Sequence, residues 1–108
     1  MSAEAPIVAA IRLHLGRRKD IRLFRNNVGF TKTARGQGIH YGLFPGSADL
    51  IGWITRHGVA VFLSIEIKSA TGRVSPTQAN WQRVVHEAGG VALIVSSVAE
   101  VDFFLIKP

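Results

Sequence analysis

The sequence predicts an α/β fold, a mixed β-sheet flanked by helices in the order α-β-β-β-α-β-α. Three observations carry that expectation. Two β-rich stretches, 48–54 and 59–69, are separated only by Thr55-Arg56-His57-Gly58, which suits a hairpin turn. Ser75-Pro76-Thr77-Gln78 has the signature of a helix start, with Ser75 as N-cap, Pro76 at the first helical position and Gln78 as the capping-box side chain. A wholly apolar run at 91–95 follows that helix, as expected of a buried strand reached by a right-handed crossover.

The remaining elements follow from local pattern. Residues 2–15 read as a helix: Ser2 can cap it, Pro6 is tolerable in its first turn, and Ile7, Val8, Ile11 and Leu15 form an apolar stripe that stops at Gly16. The alternation in Ile21-Arg22-Leu23-Phe24-Arg25 predicts a short strand. Residues 26–47 hold five of the eleven Gly and little periodicity, so they read as one long loop, usually a functional or mobile feature in a small domain. The 75–90 helix stops at Gly89-Gly90. Ser97-Val98-Ala99-Glu100 is a second capping box, opening a last short helix with Val101, Phe103 and Phe104. With no repeat or linker, 1–108 reads as a single domain.

Composition narrows the function classes. Thirteen Lys and Arg stand against seven Asp and Glu, a net charge of +6, which favours a polyanionic partner. Hydrophobic residues make up 47 %, enough for a folded core. Zero Cys excludes disulfides, thiolate metal sites and a Cys nucleophile. No apolar run approaches the ~18–20 residues of a membrane span, and the N-terminus shows no export signal.

The strand expected at 61–68 is where chemistry can sit. Side chains alternate, so Val61, Leu63, Ile65 and Ile67 share one face while Phe62, Ser64, Glu66 and Lys68 share the other. A four-residue turn at 55–58 would set Asp49 opposite Ser64, on the Glu66 face and diagonal to Glu66 at about 5–8 Å between Cβ atoms. Two carboxylates that close repel unless a proton or cation lies between them, and Mg²⁺ is typically held by one or two carboxylates. An isolated Glu-x-Lys is ordinarily an edge-strand ion pair; Asp49 at the start of the neighbouring strand, behind a Pro- and Gly-containing turn, favours a site.

Gly46-Ser47-Ala48-Asp49-Leu50-Ile51-Gly52, then Ile65-Glu66-Ile67-Lys68, then Ser75-Pro76-Thr77-Gln78 with Trp81 closely resemble the VRR-NUC domain. This is the virus-type replication-repair nuclease branch of the PD-(D/E)xK superfamily, so the resemblance implies a restriction-endonuclease-like sheet. It implies Asp49 and Glu66 as ligands of a divalent metal, Mg²⁺ or Mn²⁺, with the Ile67 carbonyl as a further ligand. Lys68 would be the catalytic lysine and Gln78 a supporting catalytic residue. Where the superfamily has Pro before the Asp, this chain has Ala48, with Pro45 displaced upstream. Glu4, one turn before Ile7 and Val8, can either compensate the helix dipole or point at the sheet; the family's first-helix Glu makes it a candidate accessory metal ligand.

Eight of the thirteen cations lie within 12–35 against the single acid Asp20. Arg17, Arg18, Lys19, Arg25, Lys32 and Arg35 are therefore candidate DNA-binding residues, and Arg73, between Lys68 and Gln78, is a candidate phosphate clamp. The four His share no metal-ligand spacing, and Trp53, Trp81, Phe103 and Phe104 read as core or subunit interface. Gly36-x-Gly38 has no strand before it and no helix after it, so it is not a nucleotide fingerprint. The expectation is a metal-dependent DNA endonuclease; the resemblance further implies a homodimer acting on branched, Holliday-junction-like DNA, in the cytoplasm of a bacterial or phage-infected cell. Its rivals are a non-catalytic DNA-binding module of the same fold and a small structural protein of a ribonucleoprotein.

Overall fold

The structure, a computed structural model, describes residues 3–105; Ser2, the expected cap, lies outside them. Helix α1 spans Ala5–Leu15 with Glu4 at its N-cap position and Gly16 at its C-cap. Strand β1 is Ile21–Arg25, β4 is Leu50–Arg56 and β5 is Val59–Ile67. Helix α2 (Pro76–Glu87) leads to β6 (Val91–Val95) and α3 (Val98–Phe104) closes the described chain. Between β1 and β4 lie two further strands, β2 (Gly29–Lys32) and β3 (Gly38–Tyr41).

The four-stranded sheet has the order β1-β4-β5-β6, antiparallel except for the β5–β6 pair. That is the expected mixed sheet, with α2 as the connection between its parallel strands. Ile11 and Leu15 of α1, Leu63, Ile65 and Ile67 of β5, and Val101 of α3 form one buried cluster, so α1 and α3 cover one face. Helix α2 covers the other: the Trp81 indole donates to Ser64 Oγ at 2.7 Å and meets Phe62 edge-on.

Both expected helix starts form. Ser75 and Gln78 make a reciprocal capping box. Ser97 Oγ accepts from the Glu100 amide, but the Glu100 carboxylate turns to Ser96 instead of Ser97, so the second box is half formed.

Three expectations are corrected. Residues 26–47 are not a structureless loop, because β2 and β3 pair antiparallel from Gly29↔Tyr41 to Lys32↔Gly38. A strand therefore does precede Gly36-x-Gly38, though it leads into a hairpin and not a helix. The β4–β5 turn contains two residues, not four: Arg56 pairs with Val59, and His57 and Gly58 both adopt positive φ, 52° and 76°. A two-residue turn of that hand matches the twist of its strands, which a four-residue loop need not. Register consequently moves by two, Leu50 pairs with Ile65 and Ile51 with Ser64, and Asp49 falls opposite Glu66 instead of Ser64. Lastly, Trp53, Phe103 and Phe104 are exposed, which removes the core alternative for them and leaves the subunit-interface one.

The β2–β3 hairpin shares no ladder with the main sheet. It projects as an arm, and the molecule is elongated, 51 × 29 × 26 Å, with a radius of gyration of 14.8 Å where a chain this long ordinarily has about 13 Å.

Candidate active site

The candidate site gathers where β4 starts and β5 ends. Glu66, on the penultimate residue of β5, is only 5 % exposed. Asp49 immediately precedes β4, and its Oδ2 accepts from the Ile67 amide at 2.8 Å. The carboxylate is thus anchored across the strand pair, beside Glu66. The two-residue shift of register kept both acids on one face, since strand side chains repeat every second residue.

Three interactions hold the Asp49 turn. Asn26, just past β1, donates from Nδ2 to Ser47 Oγ and to the Ala48 carbonyl, both at 2.8 Å, and its amide donates to the Asp49 carbonyl, also at 2.8 Å. This answers the departure at Ala48. The methyl group is fully buried, and Asn26 fixes the turn where the superfamily's Pro would constrain it. Asn26 was missed from sequence, because its partners are more than twenty residues away and Arg25-Asn26-Asn27 carries no local mark.

Electrostatics make the carboxyl pair unusual. Glu66 is pushed up from 4.5 to about 8, chiefly by burial, then by the hydrogen bond with Asp49 and the Asp49 charge. Lys68 pulls the other way, so its ammonium lies within electrostatic reach, while Glu4 adds a smaller upward push. Glu4 Oε2 accepts from the Ser69 amide at 3.2 Å and makes no side-chain cap bond to α1. Of the two readings for Glu4, pointing at the sheet is the one that forms.

Gln78 sits in the first turn of α2 with Oε1 bonded to the Ser75 amide, leaving its Nε2 as the group able to meet a substrate. Arg73 is exposed in the segment between Ser69 and Ser75. Arg25 lines an open cleft of about 410 Å³ with Asp49, Asn26 and Tyr41, between the start of α1 and the root of the arm. Lys32 ends β2, and Arg35 occupies the turn at the tip of the arm.

Arg17, Arg18 and Lys19 do not join this group. They precede the Ile21 end of β1, whereas Asp49 lies at the Arg25 end, about 13 Å along the strand. Arg18 is further engaged by Asp20, with Nε and Nη2 on its two oxygens at 3.0 and 2.7 Å.

Does this arrangement suit a divalent metal? Among the described residues no three His, Cys, Asp or Glu side chains converge as a cage. Two carboxylates with carbonyl and water ligands are nonetheless the ordinary provision for Mg²⁺, and a cation would offset the burial and the neighbouring Asp49 that together raise Glu66. The residues fit.

No curated protein and no solved structure matches the chain. Residues 18–99, however, match the VRR-NUC domain and include Asp49, Glu66, Lys68 and Gln78. The chain belongs to the VRR-NUC family, and a nuclease-type function comes with that membership.

Proposed function

We propose that the protein is a Mg²⁺- or Mn²⁺-dependent DNA endonuclease whose phosphodiester hydrolysis centres on Asp49, Glu66 and Lys68. The observation that carries this is the pair of carboxyls facing each other across β4 and β5, one of them buried, with Lys68 alongside.

Asp49 and Glu66 would hold the ion, with the Ile67 carbonyl as a third oxygen and Glu4 as an accessory donor. An ion held there supplies Lewis-acid stabilisation of the charge that builds on the phosphoryl oxygens. Lys68 follows the last residue of β5 and lies within electrostatic reach of Glu66; its ammonium would hold the attacking water in line or neutralise the pentacoordinate phosphorus centre. Gln78 Nε2 orients the same water or a phosphate oxygen. Arg25, inside the cleft, and Arg73 hold phosphates on either side of the scissile bond. The water oxygen bonds to phosphorus and gives a proton to solvent, while the bond to the sugar oxygen breaks with its electron pair left on that oxygen, which takes a proton from solvent.

Two finer elements belong to the same proposal. The substrate is branched DNA, and two copies of the chain pair to present two sites, a reading supported by exposed Phe103 (70 %) and Phe104 (49 %) on α3.

The deciding experiment compares cleavage of four-way junctions, flaps and plain duplex with Mg²⁺ or Mn²⁺. Cleavage that disappears in Lys68→Ala and in Asp49→Asn, which keeps an acceptor for the Ile67 amide, supports the proposal. Binding without cleavage in the wild-type protein favours the non-catalytic DNA-binding module, and equal rates on all three DNAs remove the branch preference.

A further inference from the structure

The β2–β3 arm carries more surface chemistry than a connection requires. Its strands expose Phe30 (54 %) and Tyr41 (48 %), large aromatic groups that ordinarily seek cover. Phe30 and His40 are direct cross-strand partners, and their rings meet edge-on with centroids 4.9 Å apart. Gly38 lies diagonally across the hairpin from Phe30. A Cβ there would come within 2.6 Å of the Phe30 ring, so the missing side chain is what lets the ring lie against the hairpin backbone. Lys32 pairs with Gly38 and so shares the Phe30 face by alternation. The ring is therefore fixed from below by Gly38 and at its edge by His40, while half its surface stays open.

The segment that forms the arm and its flanks carries one sign of charge along the chain. Residues 21–48 contain no Asp or Glu, and carry Arg22, Arg25, Lys32 and Arg35. The arm also starts at the candidate site: Arg25, Asn26 and Tyr41 line the cleft that contains Asp49. An apolar protein partner would answer the aromatic rings but not an acid-free basic segment. A nucleobase answers both, because its π-face stacks on an aromatic ring while the adjoining phosphates take the cations.

We infer that the arm is a stacking platform for an unpaired base of the DNA, with Phe30 as the platform, His40 bracing it, and Lys32 and Arg35 holding the flanking phosphates. This rests on the proposed nuclease function and specifies its substrate class: DNA with single-stranded character next to the scissile bond, in preference to intact duplex. Paired bases already stack on each other and offer Phe30 no face.

The test reads binding without cleavage, using the full chain carrying Asp49→Ala and a short oligodeoxynucleotide containing 2-aminopurine. Stacking on Phe30 should quench its fluorescence. Adding Phe30→Leu should abolish the quenching and weaken single-strand binding about tenfold, the order of one base–aromatic stack, with duplex affinity unchanged. Phe30→Trp should retain both. Gly38→Ala, which displaces the ring without removing it, should reproduce the loss, with circular dichroism verifying that the sheet persists. The inference is overturned if Phe30→Leu weakens single strands and duplex equally, if it weakens neither, or if it splits a dimer in sedimentation, since the arm would then serve a second copy. If the wild-type protein cleaves nothing while Phe30-dependent quenching persists, the nuclease reading fails and the arm stands. If cleavage is normal and quenching is absent, the arm fails alone.

Discussion

Without a cation, Glu66 holds its proton to around neutral pH, because burial and the neighbouring Asp49 raise it to about 8. A carboxylate must be ionised to bind a metal, so binding must expel that proton. Titrating Mn²⁺ near pH 7 is therefore expected to release close to one proton per ion bound, falling toward zero above about pH 9. Calorimetry in buffers of different ionisation enthalpy measures it, and zero release near neutrality would contradict a site at Glu66. Stability follows the same group. Its folded value lies above the unfolded 4.5, so in the metal-free protein its contribution is whole below about 4.5 and is lost as the pH rises through about 8. Glu66→Gln removes that dependence. In chelator, the wild type should lose stability relative to the variant as the pH rises from about 5 to about 8.5, by on the order of a few kcal/mol. Added Mn²⁺ should restore only the wild type. The juxtaposition of Asp49 with Glu66 was legible in the sequence because alternation along each strand assigns faces, and an error of two in the register preserves them. The bond from the Ser69 amide to Glu4 was not, because nothing local marks a partner sixty-five residues away.

Elements tolerated one kind of error and not another. Reading the β4–β5 turn as four residues misplaced Asp49 by two positions, yet a shift of two returns every side chain to the same face, whereas a shift of one would have moved Asp49 to the α1 and α3 side. The turn itself is testable. Gly58 has φ of 76°, where an L-residue costs about 1–2 kcal/mol, so Gly58→Ala should lower stability by that order in chemical denaturation. Asn26 ties β1 to β4 and would act on a bound metal only through the Asp49 turn. Asn26→Ala should weaken Mn²⁺ binding by about 10- to 100-fold, as loss of an outer partner of a ligand commonly does, without changing the proton released per ion. A change in melting temperature with metal affinity intact would leave Asn26 a purely structural residue.

At the scale of the whole molecule, the sequence left the arm unread for a physical reason. Alternation is strong where one strand face is buried and the other wet, and β3 is exposed at every position while β2 is exposed at all but Gly29, so neither strand had a pattern to show. The positive charge nevertheless has a distribution that the fold sharpens. Arg17, Arg18 and Lys19 stand at one end of β1; Arg25 and the arm stand at the other, on the Asp49 side. Each cation that neutralises a phosphate releases a counterion, which steepens the fall of affinity with salt. Lys32→Ala and Arg35→Ala should therefore each reduce the slope of log affinity against log salt concentration by about one, and both together by about two. Arg18→Ala should leave the slope unchanged, because its guanidinium is already held by both oxygens of Asp20. Fluorescence anisotropy across a KCl series measures the wild type and the four variants against one DNA. A reduced slope in Arg18→Ala, with Lys32→Ala and Arg35→Ala unaffected, would place the DNA at the opposite end of β1, away from the paired carboxyls.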